Sequence, residues 1–130
     1  MLLVKASLRP SAIHGLGCFT EERITKGQLV WVYDERIDVR IPESELPNLP
    51  EPVQEFLHYY GYMEMFEGER VIILCGDHSK HMNHADEPNL LDAGQQNFAA
   101  RDIEIGEELT CDYYRFDLDV GSKLGSAATK

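Results

Sequence analysis

Asn83-His84-Ala85-Asp86-Glu87-Pro88-Asn89 and Glu107-Glu108-Leu109-Thr110-Cys111-Asp112-Tyr113 are the two stretches whose reading decides the fold. The first opens on an amide and an imidazole and closes on a Pro-Asn pair, a turn signal. The second follows the turn Ile105-Gly106 and runs from acid into a strand-like stretch that ends on a tyrosine. Far upstream, His14-Gly15-Leu16-Gly17 reads as a loop, because glycine permits backbone angles that other residues avoid. A lone Gly-x-Gly is usually a turn. Its order and separation from the two later stretches make it informative here.

Around these stretches, composition sets the bounds. At 130 residues the chain is expected to be one domain, large enough to bury a core without disulfide or metal support. Met1-Leu2-Leu3-Val4 is apolar for only four residues before Lys5, and no later run approaches a bilayer span. Neither a signal peptide nor a membrane partner is expected. Cys18, Cys75 and Cys111 are odd in number and scattered, which fits a reducing, cytoplasmic or nuclear setting. Twelve Lys and Arg against 23 Asp and Glu give a net charge of −11, so direct nucleic-acid binding is not expected. Such a surface attracts a basic partner, although acidity by itself also keeps a small protein soluble.

Many short strands and little helix are predicted along the chain. Residues 2–8 alternate weakly, Cys18 to Thr20 is a short strand, and 28–33 is rich in β-branched and aromatic types. The apolar alternation Ile37, Val39, Ile41 predicts that this strand continues through residues 34–40. Four prolines make 42–52 irregular. Val53, Phe56, Leu57 and Tyr60 then fall at helical spacing, so residues 52–60 are predicted as an amphipathic helix that Gly61 ends. Tyr62 to Phe66 and Val71 to Leu74 are strands around Glu67-Gly68-Glu69, residues 77–82 a short helical turn, and 83–89 a loop. Asn97 to Ala100 and Leu109 to Tyr113 are predicted to pair. Residues 121–130 read as a disordered tail.

The three quoted segments resemble those of the SET-domain protein-lysine methyltransferases, over roughly Val4 to Phe116. The resemblance implies a mostly-β fold with short helices: small twisted sheets around a C-terminal pseudoknot, in which the last segment passes under a loop made by the preceding one. One SET domain over residues 1–120 is then expected, with 36–80 as the variable insert that helps shape the substrate groove. The implied cofactor is S-adenosylmethionine, held by His14, Gly15, Leu16 and Gly17, by the Asn83 side chain and by the His84 backbone. Tyr113 matches the family's catalytic tyrosine, beside the cofactor and the amine. Tyr33 matches a second catalytic-site tyrosine whose ring lines the lysine channel, and Tyr60 is a further channel candidate. The implied partner is a basic, lysine-containing protein such as a histone, a bacterial chromosomal protein or a ribosomal protein. A homodimer that completes the site is also compatible.

That chemistry has a magnitude. A lysine amine must arrive uncharged, and with a free pKa of about 10.4 this costs roughly 4–5 kcal/mol at neutral pH. A narrow apolar channel reduces the cost by disfavouring the ammonium. Two departures from the family pattern carry expectations. Cys111 stands where many relatives have Phe or Tyr, leaving room for di- or trimethylation. No cysteine follows Cys111 to build the zinc cluster that closes over the cofactor in many relatives. Tyr114, Phe116 and Leu118 alternate there instead, and Phe116 is expected on the adenine side.

Other readings compete. His78, His81 and His84 recur every third residue near Asp77, Asp86 and Glu87, a composition that can bind metal. Pro88 argues for a polar loop there, and no metal ligand is assigned. Cys111 or Cys18 with a histidine could make a thiol nucleophile, without any local signature for it. A catalytically silent SET-like module that grips a lysine peptide or the cofactor is the alternative from a different class. Tyr33, Tyr59, Tyr60 and Tyr62 also have an ordinary reading as packing residues.

Overall fold

The computed structural model describes residues 1–112. Ten short strands alternate with little helix: β1 (Ala6–Pro10), β2 (Leu16–Thr20), β3 (Leu29–Val32), β4 (Val39–Pro42), β5 (Tyr62–Phe66), β6 (Glu69–Leu74), β7 (Asn83–His84), β8 (Leu90–Asp92), β9 (Gln96–Ala99) and β10 (Thr110–Cys111). Helix α1 (Glu51–Tyr60) and two 3-10 turns, Glu43–Asn48 and His78–His81, complete the elements. The mostly-β expectation holds. None of these helices is long and apolar enough to cross a membrane.

Four small sheets share the strands. β1 and β2 form an antiparallel hairpin, Ala6 opposite Thr20 and Pro10 opposite Leu16. β9 is the middle strand between β3 and β8, and β6 is the middle strand between β4 and β5. β7 and β10 pair in parallel, Thr110 beside Asn83 and Cys111 beside His84. Single bridges tie the hairpin region to the end of the described chain, Phe19 to Glu108 and Ile24 to Ile103. Residues far apart in sequence are therefore brought together by these pairings and bridges.

Two cores result. Val4, Cys18, Ile24, Val30, Met82, Leu90, Ala99, Ile103, Leu109 and Cys111 pack beneath the β1–β2 hairpin and the β3–β9–β8 sheet. Leu57, Met63 and Ile72 form a second cluster, joined by Ile41, Leu46, Leu49 and Leu74, all on the β4–β6–β5 sheet and its flanking helices. Val71, Ile72 and Ile73 in β6 are all buried, which is why three apolar β-branched residues in a row suit this middle strand.

Several boundaries differ from the sequence reading. The strand expected to continue from Tyr33 stops, because the Asp34 carboxylate accepts the Arg36 amide at 2.9 Å and its carbonyl accepts the amides of Ile37 and Asp38. An aspartate that captures backbone donors two residues on makes a turn, and β4 restarts in a different sheet. The helix begins at Glu51, with Pro50 before it and Pro52 in its first turn, but buries only Leu57. Val53, Phe56 and Tyr60, expected to pack, stay at 36–41% exposure. Of the helix only Leu57 enters the cluster with Met63 and Ile72, so one position and not a full stripe is covered. The expected pairing of Asn97–Ala100 with Leu109–Tyr113 is also corrected: β9 pairs with β3 and β8, while β10 joins β7, inside the stretch read as a loop. Strand β8 had no strong signal of its own. The tail 121–130 and the expectations for Tyr113, Tyr114, Phe116 and Leu118 lie outside the described residues.

Candidate functional site

The site grows from the turn between β1 and β2. Gly15 takes a left-handed backbone, φ 48°, so the chain can reverse, and the Ser11 amide donates to the Gly15 carbonyl at 2.8 Å. The Ser11 hydroxyl accepts the Ile13 and His14 amides at 2.9 and 3.3 Å. The loop is thereby fixed with the His14 and Leu16 carbonyls turned to one point, where both lie near the Asn83 amide nitrogen, at 3.0 and 3.4 Å.

Asn83 is 8% exposed and starts β7, across the parallel pairing from Thr110. Its Nδ2 also donates to the Ser11 hydroxyl at 3.1 Å and to the Glu108 carboxylate at 2.8 Å. Glu108 in turn accepts the Ser11 hydroxyl at 2.8 and 2.9 Å. At Gly17 the backbone comes so close to the Glu108 carboxyl group that an added Cβ would push that carboxyl out of its place. Loop, amide and carboxylate thus interlock, three sequence-distant segments joined by hydrogen bonds.

Asn89 holds the other side. Its backbone amide donates to Thr110 Oγ1 at 3.1 Å, its Nδ2 to the Glu108 carbonyl at 2.8 Å, and its Oδ1 accepts the Thr110 amide at 2.8 Å. A 4%-exposed amide with every polar end engaged clamps residues 107–111 beside the turn at Pro88. Cys111 is buried, and its thiol lies 3.8 Å from the Asn83 carbonyl. The His84 ring reaches Asp86 at 3.2 Å and lies 3.9 Å from Asp112.

The other expected site residues fall in different surroundings. The Tyr33 backbone amide donates to the Gln95 carbonyl at 2.9 Å, and its ring faces the Arg40 guanidinium. Burial raises its phenol pKa, and Arg40 offsets part of that. The Tyr60 ring packs on Phe56 at 4.8 Å and on His81 at 5.1 Å. Burial lowers the His81 pKa, aided by Lys80 and His78. The histidine series is thus split, and among the described residues no group of three or more His, Cys, Asp or Glu is placed to hold a metal. Burial pushes the Cys18 thiol up to about 12, as it does Cys75, so Cys18 is not set up as a nucleophile. Tyr113 and Phe116 lie beyond the described residues.

A family model for the SET domain matches residues 15–114, from the glycine loop to just past the second motif. The chain belongs to the SET-domain family. This family consists of protein-lysine methyltransferases that use S-adenosylmethionine. No curated protein matches the sequence. Among solved structures, the Polycomb Repressive Complex 2 of Chaetomium thermophilum is similar in fold. An apo form in an autoinhibited state aligns with TM-score 0.69 at 23% identity, covering 95% of this SET protein and 17% of that chain. A form bound to S-adenosylmethionine aligns with TM-score 0.67 at 22% identity, over 95% and 17%. At that identity the likeness concerns the fold. The SET chain spans about a sixth of the length of these neighbours.

Sequence reasoning picked out the glycine loop, Asn83, His84 and Cys111 and missed what locks them together. Ser11, Asn89 and Glu108 were given no role, although Asn89 and Glu108 lie inside the two quoted stretches. The asparagine that closes the Pro88-Asn89 turn was the available signal for Asn89. For Ser11 there was none, because its role arises only when Glu108 arrives from the far end of the chain.

Proposed function

We propose that this SET domain is an S-adenosylmethionine-dependent protein-lysine N-methyltransferase acting on a basic protein. The observation that supports it most is the interlocked group of Asn83, the His14 and Leu16 carbonyls, and Glu108. Its donors and acceptors fit the cofactor. Each carbonyl keeps a second lone pair, and Glu108 takes its hydrogen bonds from Ser11 and Asn83, with no Lys or Arg partner among the described residues. A cluster of oxygens with surplus negative charge suits the ammonium at the methionine end, and His84 offers its backbone to the adenine. When bound, the cofactor supplies a methyl group activated on a sulfonium.

The remaining work falls to the chain's own groups. Tyr33 lines the lysine channel and Tyr113 orients the amine, with Tyr60 as a further channel wall and Phe116 on the adenine side. Desolvation by these rings favours the neutral amine over the ammonium, offsetting part of its 4–5 kcal/mol deprotonation cost. The acidic surface, including Glu51, Glu55, Glu67 and Glu69 around the β4–β6–β5 sheet, draws a basic substrate such as a histone, a chromosomal protein or a ribosomal protein. A single SET domain over 1–120, with the last segment threaded in a pseudoknot, belongs to the same proposal. So does a cytoplasmic or nuclear location. Screening histones, chromosomal and ribosomal proteins with labelled cofactor tests it: label on lysine supports the reading, and cofactor binding without transfer to any of them favours the silent module.

Cys111 bears on product. A thiol in place of a ring leaves room for a methylated amine to turn and react again, so wild type is expected to yield di- or trimethyllysine. Cys111→Phe should then stop at monomethyllysine, as read by mass spectrometry of the substrate. Strict monomethylation by wild type, unchanged in the variant, would contradict this.

A further inference from the structure

Arg40 occupies a position that nothing in the two motifs explains. Its guanidinium carbon lies 4.1 Å from the centroid of the Tyr33 ring and 3.6 Å from that of Phe66, so the cation is sandwiched between two aromatic faces. The three residues come from different elements: Tyr33 directly follows β3, Arg40 lies in β4 and Phe66 ends β5. Gln95 fastens the arrangement. Its side-chain oxygen accepts from Arg40 at 3.0 Å, its backbone carbonyl accepts the Tyr33 amide at 2.9 Å, and its Nε2 donates to Glu64 at 2.9 Å.

Hydrogen bonds alone do not hold this arginine. Its buried Nε has no hydrogen-bond partner, and neither has the buried Oε2 of Glu64. A guanidinium placed for salt bridging would use its planar fork on a carboxylate. Here the two ring faces cover the flat sides of the guanidinium and attract it through their quadrupoles, while its edge donates to Gln95 and not to a carboxylate. The choice of arginine over lysine follows, since a planar, weakly hydrated cation stacks where an ammonium cannot. A ring gripped on one face by a stacked cation, and by its backbone through Gln95, has lost the freedom that a half-buried tyrosine at a strand end ordinarily keeps.

We propose that Arg40 is a positioning residue for Tyr33, its stacked guanidinium fixing the ring that lines the lysine channel and thereby setting how far a substrate amine can turn and how many methyl groups it receives. This rests on the function proposed above, in which Tyr33 lines that channel. Arg40 touches neither cofactor nor amine in this scheme. It acts through Tyr33, while Phe66 forms the second face of the clamp and Gln95 its mooring.

The experiment has two arms. In the first, 3-fluorotyrosine is installed at Tyr33 and followed by fluorine NMR, a readout that needs no turnover. Wild type is expected to show two separate ring environments in slow exchange. Arg40→Met, which keeps the length of the stem but removes the planar cation, is expected to show one averaged line. In the second arm, the ratio of mono- to di- and trimethyllysine is measured with kcat and KM. Arg40→Met should change the product ratio at least threefold and lower kcat more than it raises KM, while Arg40→Lys should recover little of either because it cannot stack. Thermal melting identifies any variant that fails to fold, and Phe66→Leu then replaces it, since it opens the clamp from the other face with the arginine retained. A wild-type fluorine spectrum already averaged, or an Arg40→Met variant with wild-type line pattern and product ratio, overturns the proposal. If wild type transfers no methyl group at all, the proposed function falls, and the fluorine arm still decides whether Arg40 clamps the ring.

Discussion

Asn83→Ala is expected to weaken S-adenosylmethionine binding by about 100-fold and to lower stability by about 2–3 kcal/mol. One amide nitrogen reaches the Ser11 hydroxyl, the His14 and Leu16 carbonyls and the Glu108 carboxylate. Truncation removes the donor common to all four and leaves Glu108 with Ser11 alone. Hydrogen bonds to a charged acceptor are worth about 1.5–3 kcal/mol each, which sets the stability figure. The affinity figure follows because the loop carbonyls lose the group that turns them to one point. Calorimetric titration with cofactor, alongside thermal unfolding, reads both. Asn83→Ser, which restores a short donor, is expected to recover part of the stability but little of the affinity.

Gly17→Ala is expected to weaken cofactor binding by displacing the Glu108 carboxylate, with a smaller effect on stability. The added methyl would overlap the Glu108 carboxyl group and press on the Ser11 side chain, so the carboxylate must leave its place between Ser11 and Asn83. Because the end of the Glu108 side chain can swing aside, the stability cost should stay near the low end of the overpacking range, about 1 kcal/mol, while cofactor affinity should drop about tenfold. Gly15→Ala is the informative control. A Cβ there meets nothing within 4 Å, and the only penalty is the left-handed backbone at φ 48°. That conformation costs a non-glycine residue about 1 kcal/mol. Side by side, the two alanine variants separate strain in the loop from displacement of the carboxylate. Equal, mild effects from both would mean that the Glu108 contact does not organise the site.

How much of this was legible in the sequence varies along the chain. The two motifs and the glycine loop could be read because each is local: a turn pair at Pro88-Asn89, positive-φ glycine at Gly15, an acidic turn running into a strand at Leu109. Their convergence came from resemblance to the SET family and not from periodicity, which carries no information on partners. The mispaired strands show the same limit. Asn97 to Ala100 and Leu109 to Tyr113 read as strands that pair with each other, but the clamp at Asn89 sends the second to β7 in parallel, and no pattern within ten residues could show that. The break after Tyr33 was legible in principle. Asp34 followed two residues later by Arg36 is a turn signal, overridden in the reading by the alternation of Ile37, Val39 and Ile41. Arg40 was the least legible. Its stacking needs Tyr33 and Phe66 brought together from two different sheets.

In the proposed function S-adenosylmethionine binds at the Asn83–Glu108 cluster, and Tyr113 orients the lysine amine that takes its methyl group. The most direct test compares wild type with Tyr113→Phe: cofactor titration by calorimetry, then transfer of labelled methyl to a lysine-rich basic protein. The expected result is closely similar cofactor affinity in both, with lysine labelling by wild type and a loss of about 100-fold or more in the variant, the scale of a lost positioning group. Absence of cofactor binding by wild type, or undiminished labelling by Tyr113→Phe, would contradict the account.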